Sequence, residues 1–303
     1  MKTTLILSAL VGLCAVIPAS MHAQSVLIDF SSANSITDNL NKGTIVNVSN
    51  GNIVAGSMGN LTYSASTGLG GGGGGQNPAA TNDIFMYGTK QAFASTFTTA
   101  TTSTYVQIKA GSNSGAGLAL TMGFTNLATP ESGNGGTTGS PTSIPRPTTF
   151  SSVTQNSIAV VLRETTGAPD TWNFGAYNNG SATGITNSGS ISLTVGNWYF
   201  WETTYTNDGG GSLTFTANLY ASDTSGVYDS GASLLTYQKT VSNTALLSAD
   251  LYGFIGSQNG DRRGIAQLDN LSFSAVPEPS SYAAIFGLLS LVGALTLRRS
   301  RRN

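Results

Sequence analysis

The groups that could do chemistry in this 303-residue chain are few, and two of the most versatile leave early. Its one cysteine, Cys14, and its one histidine, His22, fall in a segment that reads as a secretory leader. Met1-Lys2 gives a positive start, Leu5–Ile17 an apolar run and Pro18 a break, and Ser20-Met21-His22-Ala23 leads to cleavage after Ala23. The signal peptide is therefore read as residues 1–23. Without it the mature chain has no thiolate nucleophile, no histidine for a triad and no Cys/His zinc site. An exported body lacking cysteine must be held by its core, not by disulfides.

Carboxylates and aromatic rings remain. Between Gln24 and Ala275 the only glutamates are Glu131, Glu164 and Glu202, far apart in sequence. Sugar hydrolysis needs two carboxyl groups facing each other across the scissile bond. Glu202 follows Trp201 on the strongest strand, but its same-face neighbours Thr204 and Thr206 cannot act as acid or base. No catalytic residue is assigned, and the expectation is a protein that is not an enzyme. The alternative is a secreted polysaccharide-active enzyme, a hydrolase or lyase, with its dyad assembled from different strands.

Sugars stack their C–H faces on aromatic rings, which makes Trp172, Trp198 and Trp201 candidate glycan contacts. In Trp198-Tyr199-Phe200-Trp201, alternation sends Trp198 and Phe200 one way, Tyr199 and Trp201 the other. One pair faces the core, and the other is free to line a binding surface. Eight bases against thirteen acids between Gln24 and Ala275 leave a charge of −5, with no basic run beyond Arg262-Arg263. Phosphate neutralisation needs clustered cations, so nucleic acid is excluded as a partner.

Strands must carry these side chains. Gly, Ser, Thr and Asn dominate the body, and no stretch between Ser25 and Ala275 offers an amphipathic helix. Short alternating segments recur instead: Thr104–Lys109, Ser157–Arg163, Ser190–Val195, Trp198–Thr206, Ser212–Ala221, Leu251–Ser257 and Ile265–Ser274. Asn207-Asp208-Gly209-Gly210-Gly211 between two of them predicts an antiparallel hairpin. Many short strands with turn signals, and no fixed-period repeat, predict an all-β sandwich or barrel in one domain over 24–275. Two long loops interrupt it, the glycine-rich 68–78, read as a loose surface loop, and the proline-bounded 130–147.

Three segments give the body a resemblance to the concanavalin A-like jelly roll of lectin and laminin G-like domains. They are the opening strand Val26–Phe30, the central Gly196–Trp201 entering a long strand, and the closing Ala266–Phe273. The resemblance implies that first and last strands lie close, bringing Asp29 near Asp269. It also implies a structural Ca²⁺ held there by the two carboxylates and backbone carbonyls; no other cofactor is expected. Jelly-roll glycosidases of the laminarinase kind carry Glu-x-Asp-x-x-Glu on one strand, an array missing here.

Destination is written in the last residues. Tyr282–Leu297 is apolar apart from Ser290 and Thr296. At about 1.5 Å per residue it spans roughly 24 Å, the short end for a bilayer core. Arg298, Arg299, Arg301 and Arg302 follow, and positive residues stay cytoplasmic, so the body lies outside. A plain anchor has no use for the Val276-Pro277-Glu278-Pro279 that precedes the helix. Motif, transmembrane helix 281–297 and arginine cluster together resemble the PEP-CTERM sorting signal, over 276–303. That resemblance implies recognition and removal of the helix by an exosortase, and a Gram-negative host that makes exopolysaccharide. The expectation is a Sec-exported protein, held briefly in the inner membrane as a single-pass precursor and then placed on the cell surface or in the extracellular matrix. Its role there is structural or adhesive, in association with extracellular polysaccharide.

In a host with the cognate exosortase, the chain should lose everything from about Ser280 onward, because two prolines hold Glu278 extended and accessible. Glu278→Ala should leave a full-length, membrane-held precursor, read by intact mass. A released form that still carries Tyr282–Leu297 would show the tail to be a plain anchor.

Overall fold

Alternation decides the architecture. Along Thr104–Ile108 the side chains of Thr104, Val106 and Ile108 are buried, while Tyr105 and Gln107 take the opposite side. The same rhythm governs the long strands on either side of this one, so each presents one apolar face to a common core. The computed structural model describes residues 23–277 except 50–51, 57–59, 77–83, 95, 110–118, 135–154, 166–169, 180, 183–188 and 259–263. The signal peptide, apart from Ala23, lies outside the described residues. So do Glu278, Pro279, the predicted membrane helix and Arg298, Arg299, Arg301 and Arg302. Among the described residues no helix is long and apolar enough to cross a membrane.

The strands of the first half are β1 (Gln24–Ile28), β2 (Leu40–Lys42), β3 (Thr44–Ser49), β4 (Asn52–Gly56), β5 (Thr62–Ser64), β6 (Gly74–Gln76), β7 (Ile84–Thr89), β8 (Phe97–Lys109) and β9 (Ala119–Thr125). Those of the second are β10 (Glu131–Asn134), β11 (Ser157–Glu164), β12 (Thr171–Asn178), β13 (Ser181–Ala182), β14 (Ile191–Ser192), β15 (Trp198–Gly209), β16 (Ser212–Ser222), β17 (Tyr228–Ser242), β18 (Tyr252–Gln258) and β19 (Gly264–Pro277). Short helices Asn34–Asn39 and Thr244–Leu247 connect strands at two corners.

Two antiparallel sheets form a β-sandwich. Sheet A runs β17-β16-β15-β8-β19-β6-β5, with β1 also paired to β19, and sheet B runs β13-β12-β11-β9-β18-β7-β2, with β14 on β12. A small third sheet is ordered β10-β3-β4. Aromatic rings join the two large sheets. Trp201 of sheet A meets Phe174 of sheet B at 5.6 Å, and Tyr205 meets Phe124 edge-on at 5.3 Å. Phe124 also takes the edge of Phe273 at 6.4 Å. Such pairs add to the burial of large apolar rings by about 0.5–1.5 kcal/mol each.

The hairpin expected at Asn207–Gly211 is present, pairing β15 with β16. The two long loops are not what the sequence suggested. Leu69–Gly71 forms a 3-10 turn and Gly74–Gln76 is strand β6, so residues 68–76 make a built corner of sheet A instead of a loose loop. Glycine fits there for steric reasons: Gly70 has φ +65°, and a Cβ on Gly75 would sit 2.7 Å from the Phe30 ring. At 130–147, the first residues after Pro130 form β10, paired in parallel with β3 from Glu131↔Thr44 to Asn134↔Asn47. The remainder of that segment lies outside the described residues.

The two sheets differ in what they show to solvent. Strand β9 is buried at every position, and β11 at all but Arg163, so sheet B is covered on both faces. A second apolar cluster, including Met86, Val161, Tyr177 and Phe254, fills its outer side. Sheet A alternates buried with partly exposed residues along β15 and β16 and keeps its outer face toward water.

Gly123 in the middle of sheet B gives a direct test of this close packing. A Cβ there would collide with the Ile158 carbonyl oxygen on the adjacent strand, where neither backbone can retreat. Gly123→Ala should destabilise the protein by roughly 1–3 kcal/mol in chemical denaturation. An unchanged midpoint would refute that register.

Candidate functional site

Four of the cross-strand rows on the outer face of sheet A frame the candidate site. Register places Gln107, Trp198, Ser222 and Tyr228 in the first row, and Tyr105, Phe200 and Tyr220 in the second. Ser103, Glu202, Asn218 and Thr236 form the third, and Thr101, Thr204, Thr216 and Gln238 the fourth. Rows are two residues apart, about 7 Å along the strands. The face therefore grades from an aromatic end, through one carboxylate, into hydroxyls and amides.

At the aromatic end the rings pack on one another. Tyr228 stacks over Phe200 with centroids 4.2 Å apart, and Tyr105 leans on Phe200 at 4.8 Å. Tyr220 lies 5.3 Å from Tyr228 and 6.3 Å from Phe200. Phe200 and Tyr220 are buried beneath this cluster, whereas Tyr105 and Tyr228 keep part of their surface in water.

Tyr228 reaches this position because the turn before it is fastened. Asp223 Oδ1 accepts from the Ser225 N–H at 2.8 Å, the Ser225 hydroxyl at 2.7 Å and the Val227 N–H at 2.9 Å. These donors, led by the Ser225 hydroxyl, hold the Asp223 carboxyl below its ordinary range. The turn is then tied across the face: the Tyr105 hydroxyl donates to the Gly226 carbonyl at 2.8 Å, and the Gly70 N–H to the Thr224 carbonyl at 2.6 Å. The glycine-rich corner is thereby one wall of the aromatic end.

Glu202 is the unusual member. It is half-buried, and burial alone lifts its pKa above the ordinary carboxylate value. Its charge in turn raises the pKa values of Tyr220 and Tyr228, both of which are shifted chiefly by burial. Register sets it between Ser103 and Asn218. Asn218 Oδ1 accepts a 2.8 Å hydrogen bond from the Thr236 hydroxyl.

Sequence-predicted residues fare unequally. Asp29 and Asp269 do come together, since β1 and β19 pair from Gln24↔Ala275 to Ile28↔Leu271. Burial raises the Asp269 pKa, with a smaller contribution from the Asp29 charge. Their oxygens serve the backbone: Asp269 Oδ2 accepts from the Leu69 N–H at 2.8 Å and Oδ1 from the Asn270 N–H at 2.7 Å, while Asp29 Oδ1 accepts from the Ser31 N–H at 3.0 Å. Calcium wants six to eight oxygens. Among the described residues no group of three or more acidic, histidine or cysteine side chains forms, and N–H donors already point at these two carboxylates. The two carboxylates do not by themselves complete such a shell, and Asp269 also pins the glycine-rich corner.

The tryptophans are corrected. Trp172, Trp198 and Trp201 are 1%, 3% and 0% exposed, which leaves no indole face for a sugar. Trp201 and Tyr199 point into the core with Tyr205, and the Trp201 indole donates to Thr203 Oγ1 at 3.0 Å. Trp198 has the outward parity of Phe200, yet it too is covered. The ring surface that reaches solvent at this end of the face belongs instead to Tyr105 and Tyr228, which the sequence reading left out. Val276 and Pro277 end strand β19 itself, paired with Thr99 and Phe97, so no linker separates sheet A from the start of the Pro-Glu-Pro segment.

No protein-family model matches the chain, and no curated protein does. Solved structures of related architecture are distant. A protein of unknown function from Shewanella oneidensis MR-1 is 16% identical over 91% of this chain and 95% of its own, with a TM-score of 0.47. The basic winged bean lectin with Tn-antigen is 11% identical over 85% and 100%, at 0.49. The exoplasmic/lumenal domain of VIP36, in its Ca²⁺/Man3GlcNAc-bound form, is 11% identical over 85% and 91%, at 0.42.

Proposed function

We propose that this chain is an exported β-sandwich protein of concanavalin A-like jelly-roll type that binds extracellular polysaccharide without cleaving it, through the outer face of sheet A. The observation that carries the proposal is the arrangement of Tyr105, Tyr228 and Glu202 above rows of Ser, Thr, Asn and Gln. Ring faces take sugar C–H surfaces, and the carboxylate and amides take hydroxyls. Burial lifts the Glu202 pKa, which marks this carboxylate as the unusual group of the face.

The sorting reading completes the proposal. Val276-Pro277-Glu278-Pro279 and Arg298–Arg302 would direct exosortase processing, leaving the body at the cell surface or in the matrix of a Gram-negative bacterium. Gln24 and Ala275 are partners on adjacent strands, so a leader and a membrane tail would leave the body at one pole. Thr99, beside Val276, is six residues from Tyr105 along β8, about 20 Å. The aromatic end would thus point away from the membrane, toward the polymer.

A half-buried carboxylate is a cost to the fold that a ligand can offset. The folded pKa of Glu202 is raised, so between the ordinary pKa and the folded one the folded state holds a proton that the unfolded chain has released. Stability contributed by the neutral form is lost as pH rises through that window. Glu202→Gln should therefore melt about a degree or two above the wild type at pH 7 and level with it at about pH 3, where both side chains are neutral. A variant less stable at pH 7 would mean that the carboxylate holds the fold together. Separately, Tyr228→Ala should keep the strand spectrum in circular dichroism and lower oligosaccharide affinity about tenfold on a glycan array, the scale of one lost ring contact. Equal binding by the variant would remove the aromatic end from the site.

A further inference from the structure

We infer that the glycan bound on sheet A is a cationic one, a polymer carrying free amino groups such as a de-N-acetylated amino sugar, with its ammonium seated between the Glu202 carboxylate and the ring of Tyr228. This rests on the glycan-binding reading and narrows it to one chemical class.

Charge complementarity supports the narrowing. The described side chains around the aromatic end include acids and no base. Glu202 lies in the third row, Asp223 anchors the turn beneath Tyr228, and Asp269 stands behind the glycine corner. The charges of Asp223 and Asp269 both raise the Tyr105 pKa, after burial and Tyr228, which sets these two acids near that ring. Asp208, at the hairpin end of the same sheet, accepts from the Thr214 hydroxyl at 2.6 Å. Lys239 has the parity of Leu235, Tyr237 and Val241, which are buried on the inward side. An acidic polysaccharide would meet repulsion here, while an ammonium would gain from both carboxylate and ring faces.

The rest of the face favours a sugar over a cationic peptide. Thr101, Ser103, Thr204, Thr216, Asn218 and Gln238 continue the strip with hydroxyls and amides that donate and accept, as a polyol requires. A further set of acids, as a polybasic peptide would need, does not appear among the described members of those rows.

The test uses the full-length chain, immobilised, with four soluble probes at about pH 6, above the ordinary carboxylate range. These are a glucosamine hexamer, its fully N-acetylated counterpart, a guluronate hexamer and hexalysine. The glucosamine hexamer should bind tightest, and Glu202→Gln should weaken it about tenfold, a larger loss than the same variant causes for the N-acetylated hexamer. Asp250→Asn, which removes the same charge from an exposed position on another part of the body, should change nothing. Equal loss in that control would reduce the effect to bulk charge and overturn the inference. Tighter binding of the N-acetylated or guluronate hexamer would overturn the amino-sugar class and leave the glycan-binding proposal standing. Tighter binding of hexalysine would replace the sugar by a peptide, and binding of none of the four would overturn the inference and the proposal together.

Discussion

The direction of one side chain fixes most of what this molecule presents to its surroundings. Trp201 must lie against Phe174, and Tyr205 against Phe124, for the two sheets to close. Strand period is two, so once those rings point inward Phe200 and Glu202 must point out. A slip of one residue would bring Glu202 into an apolar interior, where an unpaired carboxylate is among the most expensive groups to bury. Core packing therefore aims the outer face as firmly as it holds the inner one. The outer aromatic cluster follows from the same constraint, since Phe200, turned outward, needs Tyr228 laid over it to leave water.

What could be read in the sequence, and what could not, follows from how local each signal is. The Asn207–Gly211 hairpin and the faces of Thr104–Ile108 were legible, because turn residues and a contrast of Tyr and Gln with Val and Ile announce them within a few positions. Trp198–Trp201 was ambiguous for the opposite reason: large rings stand on both faces, and only contacts with Phe174 and Phe124 choose between them. Strand β17 went unread because Asp229–Leu234 are all exposed, so half of its length carries no alternation. The glycine corner looked loose because what orders it, the Asp269 carboxylate on the Leu69 N–H, lies 200 residues away.

The candidate site shows the same division. Glu202 could be singled out as a lone acid on a strong strand, and Tyr105 as outward-facing, from alternation alone. Tyr228 could not, because its place above Phe200 depends on the hydrogen-bonded turn at Asp223–Val227 and on the tie from Tyr105 to Gly226. Indole rings drew attention as sugar platforms, yet the largest rings are also the ones a sandwich uses to fill itself. In a chain with three tryptophans, the fold claimed all three.

The pairing of β1 with β19 sets the order in which the chain can become a protein. Gln24 is among the first residues of the body to be made, and its partner Ala275 is among the last. Strand β19 also supplies the neighbour of β8 and of β6, so sheet A has a gap near its middle until the final strand arrives. Contacts this far apart in sequence are slow to form, because the whole intervening loop must be closed before they reward it. Folding is thus a clasp that shuts only when the last strand has been made, and until then sheet A stays open at its middle.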